Sequence, residues 1–339
     1  MLTHTYSNRD RFKSRLSQNE TDSNMGNKLS ATVIDSDMTI SKCISSFVGL
    51  AIGDALGATV EFMTANEIKS RYGVHNKIIG GGWLRLPAGK VTDDTSMSLA
   101  LGQTIIETQR INPYDIAHSF SHWLKSKPVD VGYTIRRGIQ HFRSTNNPCS
   151  PETDDAAGNG ACMRSLPIAI AMLNREQNEV EKALSYQSHI THNNALSDAA
   201  TCCVIKMIQM AILGKDLDEL FDGPVADLIN DYPEFNFYTS AITNPSGYIV
   251  DTVRAVFQSL STTDSFESCL TDIVNRGGDA DTTGAIAGML AGSIYELNEI
   301  PQDWLNSLDQ EILQHCEYQA TKLHELRPNI HLSETNPLI

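Results

Sequence analysis

Apolar residues recur along most of this chain with the spacing of one helix face. The spacing becomes regular near residue 40, where an i, i+3, i+4, i+7, i+8 series is formed by Ile44, Phe47, Val48, Ala51 and Ile52. The same period predicts helices over residues 96–108, 114–125, 163–173, 180–188, 196–213, 248–260, 266–276 and 283–296. Because alternating strand patterns are almost absent, the chain is predicted to be all-α, a large helical bundle in one domain.

The N-terminal segment lacks this periodicity. It is rich in Ser, Asn, Thr and charge, and residues 1–28 hold five basic against three acidic side chains. The net charge of the whole chain is −15, so a mildly basic segment precedes a strongly acidic remainder. We predict a flexible arm over residues 1–37, one domain over residues 38–330 and a C-terminal tail over residues 331–339.

Composition indicates a soluble globular protein, with 41% hydrophobic and 20% charged residues over 339 positions. The acidic balance argues against a nucleic-acid-binding protein and against binding to anionic membranes. We find no run of about 18 apolar residues and no secretory signal pattern, so we expect no membrane span and no secretion. Seven cysteines without a C-x-x-C pair are typical of a reduced, cytoplasmic protein.

Two short acidic clusters carry most of the chemical information. The first is Thr92-Asp93-Asp94-Thr95, and the second runs from Asp279 to Thr283 at the start of another predicted helix. Each cluster alone has two interpretations, because Asp and Thr also cap helix N-termini. If the fold joins the clusters, their carboxylates would repel one another unless cations lay between them. Oxygen ligands favour hard ions such as Mg²⁺, Mn²⁺ or Ca²⁺, so joined clusters predict a two-metal hydrolytic centre.

The second cluster partly matches a calcium-binding EF-hand loop. Asp279, Asp281, Thr283 and Gly284 stand at loop positions 1, 3, 5 and 6. Position 12, which needs a bidentate Glu, is Leu290, and residues 285–291 form an apolar, helix-like run. The EF-hand is therefore rejected, and a helix cap or a metal site remains.

Four further elements are ambiguous when each is taken alone. Asp54, Gly57 and Glu61 follow i, i+3, i+7, which predicts both carboxylates on one helix face. The alternative is a tight helix crossing with Asp54 paired to a buried arginine. The turn Gly158-Asn159-Gly160 exposes amides suited to phosphate or ribose oxygens, although such turns are often only turns. Single residues such as His192 and Asp130 indicate nothing by themselves.

Taken in order, these elements resemble one family. Five segments are similar to the motifs of the ADP-ribosylglycohydrolases. They are Gly53-Asp54-Ala55-Leu56-Gly57 with Glu61, the Thr92–Thr95 cluster, Gly158-Asn159-Gly160, Ile190-Thr191-His192 and Gly277-Gly278-Asp279-Ala280-Asp281-Thr282. The similarity is greatest to the bacterial branch typified by the dinitrogenase reductase-activating glycohydrolase, and it spans about residues 40–300. Five motifs in series are hard to produce by chance.

The resemblance implies an all-α orthogonal bundle that removes ADP-ribose from modified arginine side chains. It implies a centre of two divalent cations, Mg²⁺ or Mn²⁺, bound by Thr92, Asp93, Asp94, Asp279, Asp281 and Thr282. The segment that lines the ADP-ribose cleft is implied to be Gly158, Asn159 and Gly160, with His192 beside it. Asp94 or Glu61 would assist proton transfer, and Asp130 would face the arginine guanidinium, which favours arginine-linked over serine-linked ADP-ribose.

The N-terminal segment departs from the compact bacterial members of the family. A second interpretation is therefore kept, in which residues 1–37 are an interaction arm rather than a tail. Some relatives act as immunity proteins against ADP-ribosylating toxins. A basic arm carrying Arg9, Arg11 and Arg15 would suit the acidic, arginine-accepting cleft of an ADP-ribosyltransferase toxin. Under this alternative the protein neutralises the toxin by direct binding, with or without hydrolysis of an ADP-ribosylated protein.

Overall fold

The computed structural model describes residues 28–336, with side chains from Met38 onward. Contacts divide the chain into two units, Met1–Asp37 and Met38–Ile339, and the second unit is described below. Residues 1–27 of the predicted arm lie outside the described residues, whereas residues 28–37 belong to the helix Lys28–Gly57, and the arm stays a prediction.

Fifteen α-helices and two short strands make up the described part of the chain. The helices are α1 (Lys28–Gly57), α2 (Ala65–Tyr72), α3 (Asp93–Thr108), α4 (Pro113–Lys125), α5 (Tyr133–Thr145), α6 (Leu166–Ala171), α7 (Gln177–Ser188), α8 (Ala195–Ile212), α9 (Leu217–Leu220), α10 (Ala226–Asp231), α11 (Ile249–Thr262), α12 (Phe266–Asn275), α13 (Ala280–Ile294), α14 (Gln302–Ser307) and α15 (Gln310–Leu326). Strand β1 (Arg110–Ile111) pairs in parallel with β2 (His331–Leu332). The all-α prediction is confirmed.

Every helix predicted from the apolar spacing is present, but some ends differ. Helices α3 and α13 begin at Asp93 and Ala280, so most of each acidic cluster lies inside the first turn instead of before it. Helix α6 is shorter than predicted because Pro167 stands in its first turn, where proline favours a helix start. The pattern analysis missed α5, although its buried residues Ile135, Ile139 and Phe142 have helical spacing.

Helices α1 and α13 cross at van der Waals distance through a row of glycines. A Cβ atom added at Gly53 would lie 1.9 Å from the Gly284 carbonyl oxygen, and one added at Gly49 would lie 2.3 Å from that of Gly288. Neither contact leaves room for a side chain, because both neighbouring atoms are backbone. The crossing places the C-terminal end of α1 against the N-terminal end of α13, where Gly57 meets Ala280 and Asp281. The crossing thereby positions the acidic cluster at the start of α13.

Two described helix segments have the length and apolar composition of a membrane span, Met38–Gly57 and Ala195–Ile212. They are 78% and 56% buried by other parts of the protein. Helices that pack in a protein core meet the same criteria, so these segments are weak evidence for a membrane. Helix α13 is more deeply buried than either, with every residue from Ala280 to Ser293 inside the core.

Candidate active site

The first acidic cluster does not cap its own helix. Thr92 is the N-cap residue of α3, yet its side chain makes no capping hydrogen bond. The free amides are satisfied by Asp54 of α1, which accepts hydrogen bonds from the Thr92 amide at 2.9 Å and the Thr95 amide at 3.1 Å. Asp54, and not Asp93 or Asp94, therefore satisfies these two amides, although both residues stand in the first turn of α3. The suggested pairing of Asp54 with a buried arginine is also wrong, because backbone amides occupy its oxygens.

The second cluster shows the same arrangement. Asp279 is the N-cap residue of α13 and makes no capping hydrogen bond with its side chain. Its carboxylate accepts a hydrogen bond of 2.6 Å from Asn159 Nδ2, and the same amide group donates to Thr252 Oγ1 of α11 at 2.9 Å. Gly278 has φ of 71°, and a Cβ atom there would lie 2.1 Å from the Pro245 carbonyl oxygen. Only glycine lets the chain enter α13 at this angle.

The fold joins the two clusters at the carboxylate of Asp94. Thr92 Oγ1 donates to Asp94 Oδ2 at 3.0 Å, and Thr282 Oγ1 reaches the same oxygen at 3.4 Å. On the adjacent side, carboxylate oxygens of Glu61, Asp279 and Asp281 all lie within 4.8 Å of one another. Residues separated by nearly two hundred positions therefore share one site. All the residues that the sequence analysis predicted to bind metal lie in this carboxylate cluster or beside it.

Burial and mutual repulsion raise the pKa values of these carboxyl groups, which favours their protonated form. Burial, followed by the charges of Asp130 and Asp54, raises the pKa of Asp93 to about 8. Burial is also the main cause that raises the pKa of Glu61 to about 8 and the pKa values of Asp94 and Asp281 well above their ordinary range. A bound cation would replace these protons near neutral pH, because its positive charge offsets the repulsion between crowded carboxylates.

The donor set fits hard divalent cations. Asp94 Oδ1 and Asp281 Oδ1 are buried, and no hydrogen-bond donor among the described residues reaches either atom. A buried carboxylate oxygen without a partner costs free energy, and a metal ion would supply the missing partner. The surrounding ligand atoms are carboxylate and hydroxyl oxygens, which Mg²⁺ and Mn²⁺ prefer over softer metals.

Glu61 lies at the site, but in a turn and not on the helix that was predicted to carry it. Helix α1 ends at Gly57, and Glu61 lies in the following turn. The prediction that Asp54 and Glu61 share one helix face is therefore wrong, although both are buried at the site. Glu61 Oε2 accepts a hydrogen bond of 2.6 Å from the indole Nε1 of Trp83. The Trp83 side chain is half exposed and its ring centroid lies 5.4 Å from that of Phe62.

Asp130 lies at the edge of the carboxylate cluster. It belongs to the loop between α4 and α5 and is partly exposed, with its Oδ1 accepting a hydrogen bond from the Val131 amide at 2.8 Å. The charge of Asp130 raises the pKa of Glu61 and of Asp93, which places it close to both. The Gly132 amide in the same loop donates to Asp93. An exposed carboxylate here is accessible to a cationic group.

The Gly158-Asn159-Gly160 turn packs against His192. A Cβ atom added at Gly160 would lie 2.8 Å from His192 Cε1, and one added at Gly158 would lie 3.0 Å from His192 Nε2. The two glycines therefore make room for the imidazole ring. The Asn159 amide hydrogen, which we expected to be exposed for a ligand, donates instead to the Gly247 carbonyl at 3.0 Å.

The comparison with protein families decides what kind of protein carries this site. A family model described as ADP-ribosylglycohydrolase matches residues 35–332, which is most of the chain. The chain belongs to the ADP-ribosylglycohydrolase family. The resemblance based on five motifs in series is confirmed.

Relatives of this glycohydrolase include bacterial enzymes with named substrates. The ADP-ribosyl-[dinitrogen reductase] glycohydrolase of Rhodospirillum rubrum is 45% identical over 282 residues, which cover 83% of this chain and 95% of the relative. The ADP-ribosylarginine hydrolase Tri1 of Serratia proteamaculans is 29% identical over 304 residues, covering 82% and 78%. A solved structure called ADP-ribosylglycohydrolase-related protein complex matches with a TM-score of 0.76 at 28% identity, covering 86% of this chain and 99% of that one.

The sequence analysis of this glycohydrolase overlooked Trp83, which contacts Glu61 at the site, and Arg164, which lies behind the site. Trp83 follows the run Gly80-Gly81-Gly82, which was treated only as a break between helices. All three glycines have positive φ, and a Cβ atom at Gly82 would lie 2.2 Å from the Ala58 carbonyl oxygen. The run therefore brings Trp83 against Glu61, and the glycines were the available signal. Arg164, behind the site, had no such signal, because it stands alone in an apolar stretch.

Proposed function

We propose that this chain is an ADP-ribosylarginine hydrolase that depends on two divalent cations, Mg²⁺ or Mn²⁺. The observation that carries the proposal is the convergence of both acidic clusters on Asp94, with buried carboxylate oxygens left without hydrogen-bond donors. The names of two relatives, one for dinitrogen reductase and one for ADP-ribosylarginine, support the choice of reaction.

In the proposed reaction, water adds its oxygen to ribose C1″ and the bond from C1″ to the guanidine nitrogen breaks. The chemistry that bound cations supply is Lewis acidity toward ribose hydroxyls and water. Asp94 and Glu61 are the groups proposed to move the water proton toward the leaving nitrogen, because burial raises the pKa of both carboxyl groups above their ordinary values. The proposed metal ligands are Asp94 together with Thr92, Asp93, Asp279, Asp281 and Thr282.

Asp130 is proposed to hold the substrate guanidinium. Its partly exposed carboxylate beside Glu61 and Asp93 would accept two parallel hydrogen bonds from a planar guanidinium. A serine-linked ADP-ribose has no such cation. Asp130→Ala should therefore slow arginine-linked hydrolysis while free ADP-ribose binds nearly as before. Equal losses in both measurements would remove Asp130 from this role.

The direct test uses two substrates and two metal conditions. Proteins with ADP-ribose on arginine or on serine are incubated with the purified protein, in Mg²⁺ or Mn²⁺ and in excess chelator. We expect ADP-ribose release from the arginine-linked substrate, and only with metal. Full activity in chelator would overturn the metal-dependent part of the proposal, and a preference for the serine-linked substrate would overturn the linkage.

A second candidate function is the neutralisation of an ADP-ribosyltransferase toxin by direct binding through residues 1–37. The charge contrast between the basic segment and the acidic remainder favours it. Deletion of residues 1–37 in an Asp281→Ala background tests binding without hydrolysis. If the truncated protein still binds and inhibits the toxin as tightly as the full-length variant, the arm has no such role.

A further inference from the structure

Arg164 is a fully buried arginine without an acidic partner. Its side chain is 0% exposed, and it takes part in none of the ion pairs formed by residues 38–336. The guanidinium donates instead to neutral acceptors, which are Gln187 Oε1 at 2.8 Å, the Gln187 carbonyl oxygen at 2.9 Å and Thr191 Oγ1 at 2.8 Å. Its face lies 4.6 Å from the centroid of the Phe120 ring.

The contact with Thr191 decides the direction of the next hydrogen bond. Arginine has only donors, so Thr191 Oγ1 must accept from Arg164. The same oxygen lies 2.7 Å from His192 Nδ1. Among residues 38–336, Arg164 and His192 are the only hydrogen-bond partners of this hydroxyl. The hydroxyl hydrogen therefore has one available acceptor, which is Nδ1, and leaving a buried hydrogen without an acceptor would be costly.

We propose that Arg164 is a positioning residue that acts through Thr191 to hold His192 as the neutral tautomer with its hydrogen on Nε2. Nδ1 must then be the acceptor, and Nε2 is the only ring nitrogen left to carry hydrogen. Burial, with the charges of Arg164 and Arg137, also lowers the pKa of His192 well below its ordinary value, so the ring stays neutral. The Thr191 methyl group packs near Gly138, where an added Cβ would lie 3.0 Å from it.

The fixed hydrogen lies beside the Gly158-Asn159-Gly160 turn, which is the segment proposed to bind ADP-ribose. Nε2 faces the two glycines that flank Asn159, and Asn159 holds Asp279. Nε2 has no hydrogen-bond partner among the described residues, so it is available to donate to an oxygen ligand. If the proposed function holds, that ligand is a phosphate or ribose oxygen of ADP-ribose. The tautomer itself follows from Arg164 and Thr191 alone, and it is independent of the reaction.

Nuclear magnetic resonance of the full chain at neutral pH tests the tautomer directly. Long-range ¹H–¹⁵N spectra distinguish a protonated ring nitrogen from an unprotonated one, and a His192→Asn spectrum identifies the His192 signals. We expect one form, with hydrogen on Nε2. Two other histidines serve as internal references, because each faces a carbonyl that can only accept: His75 through Nε2 to Leu56 and His122 through Nδ1 to His118. Hydrogen on His192 Nδ1, or an imidazolium, would overturn the proposal.

Thr191→Val and Thr191→Ser test the relay. Valine keeps the shape of threonine without the hydroxyl, so Nδ1 loses its donor and we expect the single tautomer to give way to an averaged signal. Serine restores the hydroxyl and should restore the wild-type shifts. An unchanged His192 signal in Thr191→Val would show that Arg164 has no such role. If the valine variant does not fold, the wild-type tautomer still decides the question.

Binding of free ADP-ribose, measured by calorimetry, gives the functional readout. We expect Thr191→Val to weaken binding about tenfold, the change that one hydrogen bond to a charged oxygen commonly gives, and Thr191→Ser to recover it. A wild-type tautomer as proposed, together with no ADP-ribose binding, would contradict the proposed function and leave the inference about Arg164 standing. Unchanged binding in Thr191→Val would contradict the role of the tautomer in ligand binding.

Discussion

The buried carboxyl groups of the candidate site and the buried guanidinium of Arg164 behind it differ in how their polar atoms are satisfied. On the acidic side, Asp94 and Asp281 each retain a buried oxygen that no donor among the described residues reaches. On the basic side, every nitrogen of Arg164 has a partner within the protein, including a contact of 3.8 Å from Nη1 to Met97 Sδ. The acidic side is incomplete without a ligand, and the basic side is complete.

The difference shows why burial alone does not identify a binding site. Burial raises the pKa of the carboxylic groups and lowers the pKa of Arg164 to about 9, so both sides bear a desolvation cost. Unsatisfied acceptors on one side point to cations from solution. On the other side each nitrogen of Arg164 has a partner within the protein, which points to an internal role, here the orientation of Thr191 and His192. The following predictions test this contrast.

Asp281→Asn should give the largest effect. The substitution keeps the shape of the side chain but removes one anionic ligand, so ADP-ribose release should fall by roughly 10³-fold, the rate equivalent of several kcal/mol of Lewis-acid stabilisation. The circular dichroism spectrum should stay helical. Asp227→Asn, at an exposed position on α10, is the matched control and should retain full activity. Wild-type turnover by the Asp281 variant would contradict the assignment of this residue to the metal centre.

Arg164→Met should mainly reduce stability. The change leaves Gln187 and Thr191 with buried acceptors that have lost their donors, so urea unfolding should show a loss of about 3 kcal/mol. Measurement of Mg²⁺ or Mn²⁺ affinity in the same variant sharpens the contrast, because the acidic ligands are intact. A large loss of metal affinity with unchanged stability would reverse the roles assigned to the two sides.

The stability of the chelated protein should fall as pH rises. Asp93 and Glu61 have folded pKa values of about 8, against ordinary values of 3.8 and 4.5. Between these limits the folded state binds more protons than the unfolded state, so the free energy of unfolding decreases with pH and the loss is complete above about pH 8. From pH 5 to 8 we expect a decrease of several kcal/mol in chelator, measured by urea unfolding, because both groups lose the protons that they bind only in the folded state.

Addition of Mg²⁺ or Mn²⁺ should reduce or reverse that pH dependence, because metal binds the deprotonated carboxylates of the folded state. The Asp281→Asn variant in chelator offers an internal comparison, since one crowded carboxylate has been removed and the dependence should be shallower. A free energy of unfolding that rises from pH 5 to 8 in chelator would show that groups within the protein already offset the negative charges of the carboxylates.

Trp83→Phe should give the smallest of these effects. Phenylalanine keeps a ring beside Phe62 but lacks the Nε1 hydrogen bond to Glu61, so kcat should fall about tenfold with little change in KM. Ile79→Ala, at another exposed position before the same glycine run, is the control and should behave as the wild type. A change confined to KM would indicate that Trp83 contacts substrate instead of orienting Glu61.

The sequence predicted the parts of the molecule that depend on local rules. Helical periodicity follows from which side chains point inward, so α1, α3, α4, α8 and α11 to α13 were recognised with small errors at their ends. The segments Thr92–Asp94 and Asp279–Thr282 were predicted to meet in one site because Asp and Thr oxygens suit hard cations, and the structure brings the two segments together. The order of five motifs then predicted the family correctly.

Only the tertiary structure decided which of the polar residues act together. Asp54 satisfies the amides at the start of α3, Trp83 holds Glu61 from a glycine turn, and Arg164 reaches Thr191 from a separate helix-like turn. Each of these contacts joins residues that are distant in sequence or that local spacing would have placed elsewhere. Hydrogen-bond donors can be matched to acceptors only when all the neighbours of a residue are known. A sequence gives only the neighbours that lie within a few positions along the chain. The sequence by itself therefore determined the helices and the chemical character of the ligands, while the packing of α1 against α13 decided that they form one site.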